Sequence, residues 1–104
     1  MNNMIRSLVN ILPTKLQLIL SKYYFTRLLK KQRLLSSEVE HEMLGSWIKQ
    51  GDNCLDIGAN IGRYTFKMSK IVGRKGHVFS FEPMNYSFNI LTHLCSSSNY
   101  NNIS

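Results

Sequence analysis

The sequence predicts an α/β fold built on one βαβ unit with flanking helices. Three observations predict it. Two short apolar runs, 53–57 and 77–81, read as buried strands, and the segment 61–72 between them carries apolar residues at helical spacing. Strand, helix and strand fit within about 30 residues, the length of one parallel, right-handed crossover. Glycines mark the seams, with Gly58 and Gly62 after the first run, Gly73 after the helix and Gly76 before the second run.

Each element has its own signal. Residues 4–12 are apolar-rich and stop at Pro13. Thr14 to Leu35 contains good helix formers without Gly or Pro and is expected to be one helix. Its basic residues keep to one half of the wheel while its apolar residues fall all round, so its amphipathic contrast is poor. Ser37 and Glu40 have the S-x-x-E spacing of a capping box, in which side chains satisfy orphan backbone N–H groups. Val39, Met43 and Trp47, with Leu44 and Ile48 beside them, are expected to form one buried face anchored by Trp47. Gly51-Asp52 ends that helix, and Asn53–Ile57 is the first strand. Ile61, Tyr64, Met68, Ile71 and Val72 form the next stripe, and Gly73 stands where a C-cap glycine belongs. Arg74-Lys75-Gly76 turns the chain into His77–Phe81, which Glu82-Pro83 closes. Asn85 to Cys95 is helical, with Phe88, Leu91 and Leu94 or Cys95 on one side. Ser96 to Asn102 is a polar loop, and Ile103-Ser104 reads as the start of a further element.

Charge divides the chain. Of 104 residues with a net charge of +7, residues 1–35 hold Arg6, Lys15, Lys22, Arg27, Lys30, Lys31 and Arg33 and no acidic residue. Basic and acidic residues balance over 36–104. A basic helical arm (1–35) joined to a near-neutral body (36–104) is the expected organisation. The arm has three readings: a helical cap on the sheet or the substrate side, a peripheral membrane-surface helix using Tyr23, Tyr24 and Phe25 beside the cations, or a nucleic-acid contact, which no readout motif supports. Cys54 and Cys95 lack metal-ligand spacing and read as reduced thiols, which favours the cytoplasm. No run of about 18 apolar residues is present to span a bilayer, and Pro13, Lys15 and Gln17 interrupt the apolar start, which argues against a signal peptide.

The chemistry concentrates in Leu55-Asp56-Ile57-Gly58-Ala59-Asn60-Ile61-Gly62. Glycine at a strand end permits a tight turn and a close ligand approach. The helix start beyond it offers free N–H groups. Glu82 lies 20 residues beyond Gly62, at the end of the second strand. In a parallel pair the two strand ends are neighbours, so Glu82 is expected to face the glycine loop, where a carboxylate accepts hydrogen bonds from a ribose diol. The dinucleotide fingerprint G-x-G-x-x-G fails, since Asn60 and Arg63 occupy its second and third glycine positions.

The run D-I-G-A-N-I-G resembles the first motif of class I S-adenosylmethionine-dependent methyltransferases. Together with V-G-R-K-G, H-V-F-S-F-E-P and the closing N-Y-N-N-I-S, residues 36–104 most resemble the FkbM family. The resemblance implies a partial Rossmann-like methyltransferase fold with S-adenosyl-L-methionine as cofactor. It implies that Asp56 sits near the cofactor's amino end. Gly58, Asn60 and Gly62 would shape the methionine pocket, Glu82 would hold the ribose, and Pro83 and Met84 would border the adenine. It further implies methylation of a small acceptor, a sugar or secondary metabolite, at oxygen. The family's sheet has seven strands, so this chain is expected to be truncated before the third and too short to be active alone, either a non-catalytic fragment or a split subunit that needs a complementing chain. No residue suggests a catalytic base or a metal site: His41, His77 and His93 lie far from the glycine loop in the predicted layout.

Overall fold

The computed structural model describes residues 2–34 and 39–104, and of 39 and 40 the backbone alone. The order is α1 (Asn3–Asn10), α2 (Thr14–Lys30), α3 (Val39–Trp47), β1 (Asn53–Ile57), α4 (Arg63–Val72), β2 (His77–Phe81) and α5 (Asn85–Ser96). This is the predicted α/β arrangement. β1 and β2 pair in parallel, in register from Asn53↔His77 to Ile57↔Phe81. Ile103 bridges Val78 in parallel, with the Val78 N–H donating to the Asn102 carbonyl at 2.8 Å and the Ser104 N–H to the Val78 carbonyl at 2.9 Å. A third strand position beside β2 is therefore already entered at Ile103.

The helices follow from their ends. Asn2 caps α1, its Oδ1 accepting the Met4 N–H at 2.9 Å. Pro13 opens α2, and the Gln17 side-chain amide ties the corner by donating to the Leu12 carbonyl at 2.8 Å. α2 stops at Lys30 rather than Leu35. The Gln32 and Arg33 N–H groups turn back to the Leu29 and Leu28 carbonyls, and Gln32 takes φ 55° to allow it. α4 ends at Gly73 with φ 68°, as its C-cap position predicts. Asn102 reinforces that end, its Nδ2 donating to the Ser69 and Gly73 carbonyls at 3.0 and 2.8 Å and its Oδ1 accepting the Ser69 hydroxyl. The proposed capping box at Ser37 and Glu40 lies outside the described residues.

Two apolar clusters form the core. Leu29 and Leu34 join Ala59, Ile61, Phe66, Ile90, Leu91 and Leu94, binding the basic arm to α4 and α5. Leu44, Met68, Val72 and Val78 form the second, between α3, α4 and the sheet. The buried face of α3 differs from the expected one. His41 and Leu44 are buried and Ile48 is half-buried, whereas Met43 is exposed and Trp47 is 58% exposed. The His41 ring fits inside because its Nε2 lies 3.1 Å from the Arg63 carbonyl and it makes a T-shaped contact with the Tyr64 ring, centroids 5.1 Å apart. α5 buries Ile90, Leu91 and Leu94, and Phe88 is exposed rather than part of that face.

α4 covers one face of the sheet. The other face presents Leu55, Ile57, Phe79 and Phe81, all exposed, with Ile57 reaching 79%. Among the described residues no helix packs there. Parallel sheets are ordinarily covered on both faces.

Candidate functional site

The loop from β1 to α4 folds over the end of β2. The Gly58 and Ala59 N–H groups both donate to the Phe81 carbonyl, at 2.9 and 3.0 Å. Gly58 has φ 77°, Asn60 φ 55° and Gly62 φ 105°, so three residues of a five-residue turn sit in the left-handed region, where Gly and Asn are the tolerated side chains. A Cβ on Gly58 would meet nothing within 4 Å, so its face is open for a ligand. Gly62 serves a different end. At φ 105° its Cβ would lie 2.6 Å from Phe66 Cε2 and 2.8 Å from Leu91 Cδ1, so this glycine lets the core close beneath the loop.

Glu82 reaches the loop as expected. Its Oε1 accepts the Asn60 N–H at 3.1 Å and its Oε2 accepts the Met84 N–H at 3.1 Å. Each oxygen keeps a further lone pair for an incoming hydroxyl. A groove of about 550 Å³ opens beside it, lined by Ile57, Gly58, Ser80, Phe81, Glu82, Pro83 and Phe88. That volume lies within the range of small-molecule sites. Met84 stands exposed at the start of α5, outside this lining.

Asp56 is engaged through one of its carboxylate oxygens. Its Oδ2 accepts the Thr65 hydroxyl at 2.6 Å, and that hydroxyl also lies 2.7 Å from the Ser80 Oγ. Thr65 is fully buried, and Asp56 and Ser80 are cross-strand partners. This chain fastens both strand ends to the first turn of α4. Sequence reasoning did not single out Thr65 or Ser80. Their signal is a hydroxyl at the third helical position and another at the register partner of Asp56, which only the pairing reveals.

The site therefore brings together Gly58, Glu82 and Pro83 around one groove, with the Asn60 N–H tied to Glu82 and with Asp56 and Gly62 bracing the loop. Among the described residues no group of three His, Cys, Asp or Glu could hold a metal ion.

No family model matches the chain, and no curated protein matches it. Solved structures do. A SAM-dependent methyltransferase from Aquifex aeolicus matches with a TM-score of 0.58 and 25% identity, over 64% of this chain and 36% of that one. A structure described as a candidate rRNA-methylase from Clostridium thermocellum matches with a TM-score of 0.58 and 23% identity, over 62% of this chain and 36% of that one. Fold and site thus define part of a Rossmann-like, class I methyltransferase fold. The chain spans about a third of the length of the methyltransferase structures it matches, 36% in each.

Proposed function

We propose that this chain is the S-adenosylmethionine-binding portion of a methyltransferase. One observation carries the reading: the Glu82 carboxylate at the end of β2 faces an open glycine loop at the end of β1 across a ligand-sized groove. The likeness to a SAM-dependent methyltransferase structure supports the choice of cofactor. The residues fit such a group. Glu82 has lone pairs left for ribose hydroxyls, Gly58 leaves room for close approach, and Pro83 and Phe88 give an apolar wall for a flat base. Asn60 contributes through its backbone and Asp56 positions the loop. The cofactor, when bound, supplies an electrophilic methyl group on a sulfonium. The work of these residues is to bind and orient.

The FkbM resemblance of 36–104 favours an oxygen of a sugar or secondary metabolite as acceptor. Three histidines are present, none against the groove: His41 is bound to the Arg63 carbonyl, His77 begins β2 and His93 lies near the end of α5. Acceptor activation thus falls to elements beyond these. The bare apolar face of Leu55, Ile57, Phe79 and Phe81 supports a second point. The sheet is completed by further strands and helices, in the same polypeptide or a complementing one. Calorimetric titration with S-adenosylmethionine tests the binding reading. Saturable one-site binding supports it, and a folded chain that gives no binding heat refutes it.

A further inference from the structure

We propose that the N-terminal helices dock on an anionic lipid surface. The proposal is independent of the cofactor site. α1 buries none of its residues, yet it is an eight-residue, capped helix. Met4, Ile5, Leu8 and Ile11 recur at helical spacing and are all exposed, Ile11 at 78%. A short isolated helix is marginal in water. An exposed apolar stripe on a helix that buries none of its residues calls for an apolar medium on that side.

α2 repeats the pattern with two distinct faces. Leu18, Phe25, Leu28 and Leu29 turn inward and join the core. The Ser21 hydroxyl lies 2.6 Å from the Tyr86 hydroxyl of α5, which fixes the helix on the body. On the opposite side Leu16, Ile19, Leu20 and Tyr23 follow the i, i+3, i+4, i+7 spacing and are exposed, Tyr23 at 67%. The same outward side turns basic at Arg27 and Lys30, also exposed. Single exposed apolar residues are ordinary, but contiguous stripes mark a partner or a membrane.

Charge chooses between those occupants. Residues 1–35 hold seven cations and no anion. A second copy of this arm would set cations against cations. Anionic headgroups match that charge, with tyrosine at the headgroup level and aliphatic residues below. No described helix is long and apolar enough to cross a membrane, so the mode is peripheral.

The test is co-sedimentation of the full chain with vesicles of phosphatidylcholine alone, and with about a third phosphatidylserine. Pelleting is expected with the anionic vesicles and should fall steeply with added salt. Leu8→Asp and Ile19→Asp, both at exposed positions, should each weaken partitioning by about tenfold while the thermal melt stays as in the parent chain. Arg6→Glu with Lys15→Glu should weaken it similarly on anionic vesicles alone. Absence of pelleting by a folded chain would overturn the proposal, as would pelleting that ignores all four substitutions. A dimer in solution that Leu8→Asp or Ile19→Asp dissolves, with no vesicle binding, would show the occupant to be a second copy instead.

Discussion

The Glu82 carboxylate closes the loop that precedes α4: its Oε1 accepts the Asn60 N–H at 3.1 Å, so the end of β2 holds the turn after β1. Because Asn60 sits at φ 55°, that hydrogen bond also fixes a backbone state seldom taken by residues with a side chain. Glu82→Ala removes an acceptor from two N–H groups, Asn60 and Met84. A loss of about 1–2 kcal/mol in unfolding free energy is expected by denaturant titration, with Glu82→Gln losing less because it keeps one carbonyl oxygen.

Gly62→Ala and Gly58→Ala separate packing from ligand access. At Gly62 the added methyl meets the Phe66 ring at 2.6 Å with φ already at 105°. Strain and overpacking together should cost about 2–4 kcal/mol, read as a lower denaturant midpoint. At Gly58 the methyl meets nothing within 4 Å. Backbone strain alone should cost about 1–2 kcal/mol. The Gly58 methyl would instead project into the opening left for a ligand.

Thr65→Val removes the hydroxyl shared by Asp56 and Ser80 and is nearly isosteric. It leaves a half-buried carboxylate without its donor. A destabilisation of about 1–3 kcal/mol is expected, with Thr65→Ser restoring most of it. Equal melts for parent and Thr65→Val would show that this link does not fasten the strand ends.

The strands and their helix were readable because glycines isolate them and the period changes at each seam. Glu82 was found because parallel pairing places neighbouring strand ends together, a rule independent of side-chain detail. Trp47 was misplaced because size and spacing alone do not reveal whether a helix turns His41 or Trp47 inward. The answer came from an acceptor on another element, the Arg63 carbonyl. The end of α2 escaped for a similar reason: Gln32 adopts φ 55° in a cap that propensity does not encode. Asn102 looked like loop polarity, and only the tertiary fold shows it holding the end of α4.

Both cysteines are free. Burial pushes the Cys54 thiol up, with the Asp52 charge adding to it, and burial does the same at Cys95 and at the Tyr100 hydroxyl. Less thiolate is present at a given pH than in an unfolded chain, so alkylation by iodoacetamide should be slower than in denaturant, and Asp52→Asn should speed it at Cys54. The sign for stability follows. Groups that hold their protons more tightly when folded contribute stability below their unfolded pKa. That contribution is lost as pH rises above it. The melting temperature should fall across the alkaline range.

The uncovered sheet face should make the chain self-associate. Phe79→Thr and Ile57→Thr each put a β-branched, strand-favouring side chain at an exposed position, so each should change unfolding free energy by no more than about 0.5 kcal/mol. Both should lower the apparent mass at high concentration in sedimentation velocity. Unchanged association would place the sticky surface elsewhere.

The central claim is that the Glu82 side of the groove holds the ribose of S-adenosylmethionine. Isothermal titration of the parent chain and of Glu82→Gln, each shown to be folded by its melt, tests it most directly. One saturable site is expected in the parent, weakened about tenfold or more in Glu82→Gln, where a charged acceptor becomes a neutral one. No saturable binding to the folded parent, or equal affinity in Glu82→Gln, would contradict it.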